Sequence, residues 1–118
     1  MKLKSSIKTL EIEDAKGKKK VYSFETGDPV VLELWVSKFN ELKKLAESNL
    51  EGKEISALYN IERDLIVMVL GEKAWKEIKR KSNNSVYTLF PVLAELMRLI
   101  NESSDENAKM FELVKVKK

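Results

Sequence analysis

Side chains able to do chemistry are few in this sequence, and the missing types narrow the field before any motif does. It contains no His and no Cys. Disulfides, thiolate nucleophiles, imidazole bases and zinc ribbons are thereby excluded, and the usual metal ligand is absent. Catalysis would have to rest on carboxylates, Lys, Ser or Tyr. Glu62 and Asp64 sit two apart on an expected helix and diverge by about 200°, so they cannot converge on one metal or one proton. Glu11 and Glu13 share a strand face, but two carboxylates without a cleft read as a solvated edge. Gly17-Lys18-Lys19 lacks the upstream Gly and the following Ser or Thr of a phosphate-binding loop, and four Gly with no Gly-x-Gly exclude a dinucleotide fingerprint. The expectation is a protein that is not an enzyme, with no catalytic residue, no cofactor and no metal.

Two basic runs remain. Lys16, Lys18, Lys19 and Lys20 gather near an expected hairpin tip, where they are either a phosphate grip or lysines guarding a solvated turn; we take the second reading. Lys73, Lys76, Lys79, Arg80 and Lys81 follow an apolar helix, which raises a helix-turn-helix. That motif needs a turn of three to four residues, and here Gly71 is nearly the whole turn. Glu72 and Glu77 also offset the cations, which spread around the helix. A small basic nucleic-acid-binding regulator is therefore the alternative reading and not the leading one.

The elements that must position these residues follow from periodicity. Leu10 and Ile12 alternate with polar neighbours, as do Tyr22 and Phe24, and Gly17 lies between, which predicts a β-hairpin. Asp28-Pro29 opens a helix, Asp28 as cap and Pro29 in the first turn. Leu32, Trp35, Phe39, Leu42 and Ala46 then form one stripe to about Asn49, broadened by Val31, Leu34 and Leu45 toward burial on a second side or a surface shared with a partner. Gly52 breaks the pattern. A second helix from about Lys53 to Leu70 carries Ile55, Leu58, Ile61, Leu65 and Met68 on one face, with Ile66, Val67 and Val69 making its end apolar nearly all round and so central to the core. A short amphipathic helix from Glu72 to Lys81 presents Trp75 and Ile78. After Ser82-Asn83-Asn84, Ser85 or Thr88 caps a last helix bearing Val86, Leu89, Leu93, Leu96 and Ile100, in which Pro91 forces a kink or a later start. Residues 101–107 hold no apolar side chain and read as a linker; beyond them Met110 to Val116 fits helical and strand spacing equally. The expected class is α+β, mainly α: an N-terminal β-hairpin and a bundle of three to four helices in one domain over 1–102, then a polar linker and Lys-rich tail over 103–118.

A length of 118 residues suits one domain, and 43% apolar content supplies a core. The longest apolar run, Leu65 to Leu70, is six residues, against the roughly 20 of a membrane span. Met1 to Ser6 lack the apolar centre of a signal peptide, so a cytoplasmic location is expected. The net charge of +3 is uneven. Residues 1–27 carry seven basic and four acidic groups, residues 28–70 five and eight, and residues 71–118 ten and seven. An acidic middle between basic ends suggests complementary faces, within the fold or between copies.

The order of elements is itself a signature. A basic hairpin, a helix opened by Gly27-Asp28-Pro29, a second helix running into Leu70-Gly71-Glu72-Lys73-Ala74-Trp75-Lys76-Glu77-Ile78, a polar loop and a helix over 86–100 resemble the tail assembly chaperones of long-tailed phages and prophages. The resemblance covers roughly residues 3–102. It implies a non-enzymatic, self-associating protein of the bacterial host cytoplasm that binds the tape measure protein and keeps it soluble during tail assembly. It also implies a longer frameshifted product, for which Lys115-Val116-Lys117-Lys118 could overlie the slippery codons. The family carries over no catalytic residues. A holdase must expose apolar surface, and Trp35, Phe39, Tyr59, Trp75, Phe90 and Phe111 are the candidate partner contacts, each also open to ordinary core packing.

Overall fold

The computed structural model describes residues 7–48, 53–83 and 85–116. Strands β1 (Ile7–Glu13) and β2 (Lys19–Glu25) form an antiparallel hairpin, followed by helices α1 (Pro29–Glu47), α2 (Lys53–Leu70), α3 (Glu72–Lys81) and α4 (Val86–Val116). The fold is α+β and mainly α.

Leu10 stands opposite Tyr22, and Phe24 lies on the same face, so alternation delivers all three to the interior. At the tip, Asp14 Oδ1 accepts the backbone N–H groups of Lys16 and Lys18, each at 2.9 Å. Gly17 closes the turn with φ +82°, a conformation in which a side chain is strained. Two strands alone are marginal in water. The hairpin gains its support from the helices, β1 against α4 and β2 against α2. Lys8 pairs with Glu102 at 2.8 Å, Glu77 accepts from both Lys20 and the Tyr22 hydroxyl, and the buried Ser103 hydroxyl donates to the buried Thr26 hydroxyl.

Asp28 caps α1 by accepting from Val30 N at 3.0 Å and Val31 N at 3.4 Å. The helix ends at Glu47, a turn-end fixed by Ser48, whose N–H and hydroxyl both donate to the Leu45 carbonyl. The core forms where Trp35 and Leu42 of α1 meet Leu58, Leu65 and Ile66 of α2, Ile78 of α3, and Leu89, Leu93, Leu96 and Ile100 of α4. The Trp35 indole N–H donates to the Leu65 carbonyl at 2.9 Å, a partner without which a buried indole would be costly.

Three details differ from the periodicity reading, and one of its alternatives, the α4 cap, is resolved. The inner face of α2 is Leu58, Ile61, Glu62, Leu65 and Ile66; Ile55 and Met68, on the first and last turns, emerge from it. The end of α2 is not wholly central, because Val67, Val69 and Leu70 are only half-buried. Ser85 supplies the α4 cap, its Oγ accepting Thr88 N at 3.2 Å, and Pro91 lies inside that helix with its ring exposed. Finally, the expected linker over 101–107 is helical, α4 continuing through it to Val116. Glu95, Arg98 and Glu102 form an i, i+3, i+4 ladder into this stretch, and Ser103 is buried against Thr26. Polar composition there marks a solvated helix face, and the helical spacing of Met110 to Val116 is the one realised.

Candidate protein-binding surface

Helix α1 carries apolar side chains around more of its circumference than the fold covers. Trp35 and Leu42 face inward, and Phe39 and Ala46 lie beside them half-buried. On the outer side Val30 and Leu34, one turn apart, are 64% and 58% exposed, flanked by the exposed carboxylates Glu33 and Glu41. Of the two readings open for Leu34, burial on a second side or a place on the surface, the structure shows the surface. Where α1 runs beside α4, Phe39, Leu42, Ala46, Phe90 and Ala94 line an apolar groove of about 320 Å³, with Lys43 and Glu47 at its rim.

The six aromatic candidates separate by burial. Trp35 is inaccessible and stacks on Phe39, with centroids 5.4 Å apart and planes 12° apart. Trp75 is 4% exposed and meets the Tyr59 ring edge-on at 5.5 Å. Both tryptophans are core residues of the monomer, out of reach of a partner, because the helical stripe that made them visible is the stripe that packs. Tyr59 is half-buried under the Lys79 ammonium, 5.6 Å from its ring centroid. Phe39 and Phe90 reach the groove, and Phe90 also packs edge-on against the exposed Tyr87 at 6.3 Å. The Phe111 side chain lies outside the described residues. Sequence reasoning missed Val30 and Tyr87. Val30 repeats Leu34 at i, i+4, and that spacing was the available signal; Tyr87 carried none.

One buried group stands apart from this surface. Glu62 is wholly inaccessible, neither carboxylate oxygen has a hydrogen-bond partner among the described residues, and burial alone pushes its pKa up to about 8. At neutral pH it is held largely as the neutral acid. Glu77 is shifted the other way: the hydrogen bond from Lys20, then that from Tyr22, holds its carboxyl below the usual carboxylate range. Glu11 and Glu13 point outward on the exposed face of β1. Among the described residues, no group of three or more acidic side chains is placed to hold a metal ion. Among the same residues, no helix is long and apolar enough to cross a membrane.

No protein-family model, curated protein or solved structure matches the chain.

Proposed function

We propose that this protein is a tail assembly chaperone of a long-tailed phage or prophage, which self-associates and holds the tape measure protein soluble in the host cytoplasm, without enzymatic activity. The observation that carries the reading is the uncovered apolar surface of α1 and α4: Val30 and Leu34 outside, and the groove bearing Phe39 and Phe90 beside it. A monomer with no partner has no use for such a surface, whereas a holdase requires one. The succession of hairpin, α1, α2, a single Gly71 and α3 agrees with the order on which the resemblance rests. Against the nucleic-acid regulator as the main role stands the α2–α3 junction. Trp75 N already donates to the Gly71 carbonyl at 3.1 Å, leaving no helix-turn-helix turn.

Light scattering over a rising concentration series tests self-association, with growth beyond 13.6 kDa expected. Co-expression with a tape measure protein from the same genome tests the partner. A strict monomer throughout, combined with no co-purification, would sink the proposal.

A further inference from the structure

The fold brings together two basic runs that lie more than 60 residues apart in the chain. Lys16 and Lys18 of the hairpin tip face Arg80 and Lys81 of the α3 end across an open recess of about 390 Å³, closed by Asp14 and Asn83. We propose that this recess binds phosphate groups, taken from the backbone of a single-stranded nucleic acid or from a free oligophosphate. The inference is independent of the chaperone reading.

The charge balance is the first argument. Four cations line the recess against one carboxylate. Asp14 is already engaged: its Oδ1 accepts two backbone N–H groups and its Oδ2 lies 3.9 Å from the Lys81 ammonium. Lys16, Lys18 and Arg80 form no ion pair with any described residue. Four cations against the single Asp14 carboxylate leave the recess net positive, which favours an anion carrying several negative groups.

The second argument is preorganisation. The two Asp14 hydrogen bonds and the Gly17 turn fix the backbone that carries Lys16 and Lys18. A helix C-terminus ordinarily repels anions through its free carbonyls. Here three of those carbonyls are occupied: Ser82 N–H donates to Ile78, Ser82 Oγ to Lys79, and Asn83 N–H to Arg80. Asn83 itself takes φ +55°, a tight bend that ends the chain's run along the recess.

The third argument is donor chemistry. The recess is open to solvent and is lined by three ammonium groups and one guanidinium. A chain of tetrahedral phosphates fits, with the planar Arg80 fork suited to bidentate contact.

NMR titration of the full chain at low salt, with inorganic tripolyphosphate and separately with a single-stranded oligonucleotide of about 12 bases, tests the site. Amide shifts are expected to concentrate at residues 14–18 and 80–83. Lys18→Glu with Arg80→Glu is expected to weaken binding at least tenfold, while Lys44→Glu with Arg63→Glu, an equal charge change elsewhere, leaves it within twofold. An oligonucleotide that binds tenfold tighter than tripolyphosphate, with a log–log salt slope of about −2 for three cations, identifies a nucleic-acid backbone as the source. Equal or tighter tripolyphosphate binding identifies a free oligophosphate. The proposal is overturned if neither probe binds, if both double variants lose affinity equally, or if the recess variant abolishes self-association instead, which would make the recess a contact for an acidic face of a second copy.

Discussion

Glu62 occupies a place that the α2 sequence reserves for an apolar side chain, and its protonation couples folding to pH. Its carboxyl has a pKa near 4.5 in the unfolded chain and about 8 in the fold. Between those values the folded state keeps a proton that the unfolded state has released, so this contribution is fully present below pH 4.5 and is lost as pH rises through 8. The loss is on the order of 3 to 5 kcal/mol, a large share of a typical stability of about 5 to 15 kcal/mol. Urea unfolding from pH 5 to 9 is expected to show falling stability in the wild type and a flatter profile in Glu62→Gln. A difference between the two that does not change with pH would contradict the assignment. The carboxyls of Asp14, Glu77, Glu95 and Glu102 are shifted down by their partners, so their contributions vanish only as pH falls below the ordinary carboxylate range and do not confound this window. Periodicity made Leu58, Ile61 and Leu65 legible as core. It could not reveal Glu62, because spacing fixes the direction in which a face points and not how far α1, α3, α4 and β2 wrap around it.

Elements were more legible than their boundaries. The caps at Asp28 and Ser85, the turn glycine at 17 and the one-residue break at Gly71 each rest on local chemistry that acts within a few residues, so the sequence displays them directly. The extension of α4 through 101–107 depends instead on the ion-pair ladder and on Thr26, 77 residues away from Ser103. Pro91 sits past the first turn of α4, where it removes a hydrogen bond to the Tyr87 carbonyl. Because its ring is exposed, little packing is lost on replacement. Pro91→Ala is expected to stabilise the protein by about 1 to 3 kcal/mol, read as a higher urea midpoint with unchanged slope. A lowered midpoint would mean that the ring supports the neighbouring recess formed with Leu10, Ile12 and Ile78.

At the scale of the whole molecule, charge and shape both point outward. The ion pairs Lys8–Glu102, Lys20–Glu77 and Lys81–Asp14 join the first third of the chain to the last, two thirds that are each basic overall. Part of the acidic middle is left over: Glu33, Glu41 and Glu47 of α1 form no ion pair with a described residue. Complementarity between thirds is therefore satisfied only in part within one copy, which suits association through α1. The radius of gyration is 16.2 Å, against about 13.5 Å for a compact chain of this length, and the excess follows from the 31-residue α4, roughly 46 Å long. None of this was visible from the sequence, where the three charge blocks could be counted but not placed. The central claim is that the uncovered α1 and α4 surface holds a protein partner. It is tested most directly by co-expressing the tape measure protein with the wild type and with Leu34→Glu and Phe90→Glu variants, and measuring the soluble, co-purified fraction. The wild type is expected to retain the partner in solution, and each variant, while still folded by circular dichroism, to lose at least tenfold of it. Equal recovery with wild type and variants, or no recovery with any of them, would contradict the central claim.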